Sequence, residues 1–196
     1  MADEMHIHPT HHRPLSAAVR FRAAWRGAAL LVLALCAVLL PPARAEVSEY
    51  QLKAAFLANF PEFVTWPGSA FSGPGAPITI GILGDDPFGD ALDRAVQGKT
   101  VGGRRIAIKR SRHVEDMRGC QVVFVSSSER GNIGGLVSAN VLLVGETEGF
   151  VKQGGTIGFT TAGDKVRFEI NTGAAQRGGL EISSRLLKLA SRVGSW

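Results

Sequence analysis

The sequence predicts an α/β fold: a single three-layer domain with a mixed β-sheet flanked by helices, and with a β-hairpin and a helix at its C-terminal end. Between residues 77 and 144, short apolar runs alternate with helix-like segments, which is typical of parallel strands joined by crossovers. After residue 154, two strand-like runs follow each other across a turn sequence, which adds an antiparallel pair and makes the sheet mixed.

The first 45 residues are typical of a secretory signal peptide. Arginines between residues 13 and 26 precede an apolar run at residues 27–40, and the small-x-small triplet Ala43-Arg44-Ala45 follows. At about 14 residues the apolar run is shorter than the roughly 20 that span a bilayer core. We therefore expect residues 1–45 to be removed and residues 46–196 to form one domain in the periplasm.

Removal of this leader changes the composition on which functional classes are judged. Five of the 22 basic and two of the 17 acidic residues lie in the leader, which leaves a net charge of +2 rather than +5. No dense basic patch remains, so the sequence argues against nucleic-acid binding. Four of the five histidines also lie there, and His113 alone cannot supply the three or four ligands that a zinc site usually needs.

Cys120 is the only cysteine after the leader, so no disulfide can form within the mature chain. It precedes the apolar run at residues 121–125, and a free cysteine beside a core strand is usually a small buried hydrophobe. We therefore expect Cys120 to be buried. The alternative is an intermolecular disulfide.

The mature chain begins with an aromatic-rich segment at residues 50–67 that predicts a helix. Ser48 and Gln51 form a capping-box pattern at its start, Pro61 should kink or divide it, and Pro67 should end it. Apolar residues recur at steps of three and four and predict its buried face. These residues are Leu52, Ala55, Phe56, Phe60, Phe63 and Val64.

The middle of the chain predicts strands and helices in alternation. The elements are a buried strand at 77–83, a helix from 87 to about 97, an exposed or edge strand at 100–110, a short helix near 113–118, a buried strand at 120–125, a helix at 129–139 and a short strand at 141–144.

The last third predicts a hairpin of residues 155–161 and 165–171, a short helix at 172–178 and a final helix at 180–193. Strict alternation along the second hairpin strand should turn Val166, Phe168 and Ile170 to the core. Lys165, Arg167, Glu169 and Asn171 should then face outward. On the final helix, Glu181 and Arg185 would form an i,i+4 pair.

The residues provide little support for an enzyme, and we predict no catalytic residue, no metal site and no cofactor. His113 lies in a polar segment typical of a surface, and there is no G-x-S-x-G nucleophile motif. Asp85, Ser126 and Ser127 follow predicted strands, where they could hold a small ligand or an anion. The same residues are also ordinary helix-capping residues at such turns.

Three blocks of the sequence carry a resemblance to a known family. The first lies at residues 52–67 (LKAAFL, then NF, FV and WP), and the second at 80–88 (IGILGDDPF). The third begins with KVRFEIN at residue 165 and continues through AA, GL, ISSRLL and LA to residue 190. In these blocks the chain resembles the YfiR family of periplasmic regulatory proteins.

The resemblance implies a non-catalytic protein that binds and represses the periplasmic sensor domain of an inner-membrane diguanylate cyclase, and so controls cyclic di-GMP and biofilm formation. It implies homodimers in some members, and a sensor kinase as the partner of others. A redox switch through an internal disulfide is ruled out here by the single Cys120.

The residues we expect to contact the partner are Arg167, Glu169 and Asn171 on the hairpin, with Arg185 nearby. The same positions could instead serve packing. The alternative function is a module that binds a small molecule or a cell-wall fragment at Asp85, Ser126 and Ser127, possibly in the service of a sensor kinase.

Overall fold

A computed structural model describes residues 48–129, 134–136, 140–163 and 165–196. The predicted leader therefore lies outside the described residues. The strands are β1 (Val64–Thr65), β2 (Ile78–Leu83), β3 (Thr100–Val101), β4 (Arg104–Ser111), β5 (Val122–Val125), β6 (Leu142–Gly145), β7 (Ile157–Ala162), β8 (Lys165–Asn171), β9 (Glu181–Ile182) and β10 (Arg192–Gly194). The α-helices are α1 (Glu49–Asn59), α2 (Asp90–Val96), α3 (Thr172–Arg177) and α4 (Ser184–Leu189).

Eight of these strands form one mixed sheet in the order β10-β8-β7-β6-β5-β2-β4-β3. The five central strands from β4 to β7 run parallel, whereas β3 and β8 are antiparallel to their neighbours β4 and β7. Strands β1 and β9 form a separate antiparallel pair. The predicted α/β class, with a mixed sheet and a C-terminal hairpin, is confirmed.

The sheet has an apolar cluster on each face. Strands β5 and β6 are buried at every position, which explains their continuous apolar sequence. On one face, α1 and α2 pack over Ile80, Phe124 and Ile157. On the other face, the described elements that pack over Val123 and Leu143 are 3₁₀ turns. These turns are Val114–Met117, Gly134–Leu136 and Phe150–Gln153.

Helix α1 starts as predicted but buries a different face. Ser48 and Gln51 form the capping box, and Pro61 lies in a 3₁₀ turn, Phe60–Phe63, that follows the helix. The buried positions of α1 are Lys53, Ala54, Leu57 and Ala58, whereas Leu52 is 38% exposed. Phe60 and Val64 are nevertheless buried as predicted, and Phe56 and Phe63 pack against the core. The predicted face of the helix itself is wrong, because the chain leaves the helical path after Asn59 and continues as the 3₁₀ turn and β1 rather than as a helix to Pro67.

The middle elements follow the prediction closely. The buried strands and the short helical turn form within a few residues of the expected bounds. The single strand predicted at 100–110 is wrong in extent, because a turn at Gly102-Gly103 divides it into β3 and β4, which pair antiparallel. The predicted helix at 129–139 lies largely outside the described residues. Within that range, the described residues Gly134–Leu136 form a 3₁₀ turn.

The predicted final helix is wrong in extent. Residues Glu181–Ile182 form β9, which pairs with β1, and the helix α4 covers only Ser184–Leu189. The chain then joins the sheet as β10, parallel to β8, and the Ser191 N–H donates to the Phe168 carbonyl at 2.8 Å. The physical reason is that the unpaired backbone N–H and C=O groups on the outer side of β8 form hydrogen bonds with β10, which residues 192–194 could not make as part of a helix. The expected i,i+4 pair of Glu181 and Arg185 therefore does not form.

Among the described residues, none of the helices combines the length and the apolar character that a membrane crossing requires.

Candidate functional site

One face of the β7–β8–β10 part of the sheet is polar, and we call it the polar sheet face. The alternation along β8 buries Phe168 and Ile170 in the main core and turns Arg167 and Glu169 to the opposite side. Glu169 lies in register between Gly158 of β7 and Arg192 of β10. The predicted outward direction of Arg167 and Glu169 is confirmed.

The charges on this face are available to a partner. Arg167 and Arg192 are exposed and Glu169 is half-buried. Within the described part of the chain, no hydrogen bond or ion pair engages the side chains of Arg167 or Glu169. A groove of about 240 Å³ runs between this face and the turn Phe150–Gln153, with Glu169 and Arg192 in its lining.

Asn171 is not exposed on this face, and the prediction that it faces outward to solvent is wrong. Its side chain is fully buried. The amide oxygen Oδ1 caps α3 by accepting from the Ala174 N–H at 2.9 Å, and Nδ2 donates to the Val151 carbonyl at 2.8 Å. The alternation places Asn171 on the same side as Glu169, but the turn Phe150–Gln153 and the C-terminal Trp196 cover it there. An asparagine directly before a helix is an N-cap signal, and this could have been found in the sequence.

Arg185 is exposed, but it lies on the other side of the sheet from Arg167 and Glu169. It is on α4, whose Leu186 packs in the same core cluster as Phe168 and Ile170. The structure therefore brings Arg167 and Glu169 together and does not add Arg185 to them.

The predicted ligand residues lie at the carboxyl ends of two neighbouring parallel strands. Asp85 follows β2, and Ser126 and Ser127 follow β5. From β2 the chain continues to β4 on one side, and from β5 it continues to β6 and β7 on the other side. Open α/β sheets usually bind ligands at such a switch point. The structure thus brings the three residues to one place, as a ligand site would require.

The crevice between these strand ends is filled by the protein's own side chains. Gly84 has a positive φ of 91°, and a Cβ atom there would lie 2.5 Å from Ser128 Oγ and 2.7 Å from Glu129 Cγ. The Asp85 N–H donates to Ser128 Oγ at 2.9 Å, and the Asp85 carboxylate pairs with Arg112. The loop after β5 therefore closes the crevice over β2.

A buried charge cluster at the same end of the sheet was not predicted from the sequence. Lys53 of α1 contacts Glu49 at 2.6 Å and Glu146, which follows β6, at 2.8 Å. The Lys53 and Glu146 side chains are only 5% and 7% exposed. The Lys53 ammonium also lies 4.7 Å from the centre of the Tyr50 ring, a cation–π contact.

This environment shifts two pKa values. Burial alone would lower the pKa of Lys53, but its hydrogen bonds to Glu146 and Glu49 outweigh burial and raise it. The pKa of Tyr50 is raised by burial and by the negative charge of Glu146. The sequence signal was a lysine four residues after a glutamate on α1, but its partner Glu146 is 93 residues away.

His113 and Cys120 have the positions that the sequence predicts. His113 is exposed, and Cys120 is a free thiol with 3% exposure. Burial raises the pKa of the Cys120 thiol, which keeps it in the less reactive protonated form. In the described part of the chain, histidine, cysteine and acidic side chains form no group of three that could hold a metal ion.

Together these features define an α/β domain with a closed strand-end crevice and an exposed charged sheet face. The chain belongs to the YfiR/HmsC-like family, whose model matches residues 50–191. Membership supports, at the level of the family, a periplasmic regulator of a diguanylate cyclase that is regulatory rather than catalytic.

Two comparisons with other known proteins add little to this assignment. A search of curated proteins found no match. A conserved domain protein from Vibrio cholerae O1 biovar El Tor strain N16961 has 12% identity and a TM-score of 0.49, over 75% of this chain and 60% of that one. The ABC domain in complex with L-Trp from Streptococcus pneumonia has 16% identity and a TM-score of 0.39, over 59% of this chain and 56% of that one.

Proposed function

We propose that this protein binds the periplasmic sensor domain of an inner-membrane diguanylate cyclase and restrains it, and that the polar sheet face makes the contact. The observation that carries the proposal is the family match across residues 50–191. To inhibit, the protein must bind the inactive state of its partner more tightly than the active state.

The polar sheet face supports this role by its chemistry. Arg167 and Glu169 are held on a rigid strand, with opposite charges two residues apart on one face. A partner with complementary charges would gain orientation as well as affinity from such a pair. The groove beside Glu169 adds a concave surface for a partner side chain.

A pulldown from membranes tests the proposal. The mature protein, immobilised, should retain a membrane protein whose sequence contains a diguanylate cyclase output domain. The variants Arg167→Glu and Glu169→Lys should each retain at least about ten-fold less of this membrane protein, because each reverses a charge at the contact. Arg118→Glu is the matched control, because Arg118 is exposed on the turn before β5 and away from this face.

A cellular measurement completes the test. Deletion of the gene should raise cyclic di-GMP, and only the wild-type and Arg118→Glu proteins should restore the low level. The proposal fails if no signalling protein is retained and a thermal-shift screen instead finds a small molecule that stabilises the protein. Equal retention by wild type and both face variants would refute the assigned surface.

A further inference from the structure

The outer side of strand β4 is an open edge of the sheet, at the opposite end from β8 and β10. Strand β3 pairs only with Arg104 and Arg105, so the remainder of β4 has a partner strand on its inner side alone. The Ser111 carbonyl accepts from the Gly84 N–H at 3.0 Å on that inner side. Because backbone groups alternate in direction along a strand, Ile108 and Arg110 direct their N–H and C=O groups outward.

Basic residues dominate this edge. Residues 104–112 include five arginines and lysines and no acidic residue. Arg110 is neutralised by Asp86 and Asp93 at 2.6 Å each, and Arg112 pairs with Asp85. Arg105 and Lys109 are both exposed, and among the described residues no carboxylate pairs with them.

The two faces of the edge strand differ in character. Arg105 and Lys109 lie on one face, four positions apart, with Ala107 midway between them. Ile106 and Ile108 lie on the other face, where they are half-buried against the main core. A strand added outside β4 would therefore meet positive charge on one face and apolar surface on the other.

We propose that the part of this edge beyond β3 docks an extended acidic segment of a partner protein by strand addition. The acidic residues of this segment would face Lys109 and lie diagonal to Arg105, whose own outer position is taken by Thr100, and its apolar residues would face Ile106 and Ile108. A second copy of this chain is a poor occupant. Pairing of two such edges would crowd the Arg105 and Lys109 side chains of both copies on one face, and like charges opposite each other are destabilising. This surface is separate from the polar sheet face and does not depend on the function proposed above.

Peptide binding tests the charge requirement. The probe is a fluorescent peptide of about ten residues with alternating glutamate and valine, long enough for one strand, and its counterpart has lysine in place of glutamate. Anisotropy should detect the acidic peptide only, with binding weakened as salt rises from about 0.05 M to about 0.5 M. The variant Arg105→Glu/Lys109→Glu should bind it about ten-fold more weakly or worse. Lys188→Glu is the control and should bind it like wild type, because Lys188 is exposed on α4, at the β8 end of the sheet.

Hydrogen exchange tests strand addition itself. In the free protein the outward amides of Ile108 and Arg110 should exchange quickly, and the inward amides of Lys109 and Ser111 slowly. The acidic peptide should slow exchange at Ile108 and Arg110 and leave the inward amides unchanged. Ile108→Pro removes one outward N–H without breaking the ladder to β2, and it should abolish binding while Ile108→Val does not.

Thermal unfolding of each variant separates a docking defect from a folding defect. If Ile108→Pro unfolds, the exchange measurement on the wild-type protein still decides the question. The proposal is overturned if the peptide does not bind, if the lysine counterpart binds equally well, or if binding leaves the Ile108 and Arg110 amides unprotected.

Discussion

The substitution Lys53→Met provides the sharpest test of the structural reasoning. It removes the ammonium that lies 2.6 Å from Glu49 and 2.8 Å from Glu146 but keeps most of the aliphatic stem. Glu146 is then left as a buried carboxylate without its counter-charge, and its Oε1 already has no hydrogen-bond partner among the described residues. Breaking a buried pair in this way costs about 3–5 kcal/mol. For a domain of this size, such a loss lowers Tm by roughly 6–20 °C.

Urea unfolding of the mature protein at neutral pH measures this cost. Lys99→Met is the matched control, because Lys99 pairs at 3.1 Å with Glu62 in a part-exposed setting, 23% and 42% exposed, where about 0–1 kcal/mol is expected. The double variant Lys53→Met/Glu146→Gln should regain much of the loss, because it removes the orphaned charge. If Lys53→Met costs less than about 1 kcal/mol, the pair is not buried as described and the reasoning is refuted.

Three further predictions concern single groups. Asn171→Ala should cost about 2–3 kcal/mol of unfolding free energy in urea, because it removes the α3 cap and a buried donor; unchanged stability with lost partner binding would instead make Asn171 a contact residue. Cys120 should react slowly with a chromogenic disulfide reagent in the native state and fully in urea, and oxidation should give only monomer on a non-reducing gel; rapid native labelling would contradict its burial. Because the pKa of Lys53 is raised above its ordinary 10.5, its contribution to stability is complete below that pH and is lost as pH rises through the folded value. Wild-type stability should therefore fall in strong alkali more steeply than that of Lys53→Met, and parallel pH profiles would argue against the shift.

The sequence predicts the strands of the sheet well because their apolar runs are set by burial on both faces. Ile80, Val122 and Leu142 are each inaccessible to solvent, and no polar residue could occupy those positions without a partner. The first helix was located correctly by its capping box, which depends on residues three positions apart. These features are local, or follow from composition alone.

The errors come from contacts between distant parts of the chain. The periodicity of residues 180–193 fits a helix, but the free edge of β8 draws residues 192–194 into the sheet. Lys53 is buried because Glu146, far away in sequence, comes to lie beside it. Neither the open edge nor the ion pair exists until the sheet is assembled, so a single sequence does not specify them.

The position of the buried charges also bears on what kind of partner this fold can receive. In open α/β sheets the carboxyl ends of the parallel strands form the usual ligand crevice. Here the loop carrying Ser128 and Glu129 closes that crevice over Gly84, and Lys53 ties α1 to Glu146 at the end of β6. A small molecule there would have to displace the Ser128 and Glu129 side chains and break the hydrogen bond from the Asp85 N–H to Ser128 Oγ. Binding at the polar sheet face or the β4 edge breaks no internal contact of this kind, and its cost is the loss of hydration by exposed charged groups. This difference supports the proposed recognition of another protein over the alternative of a small ligand at the strand ends.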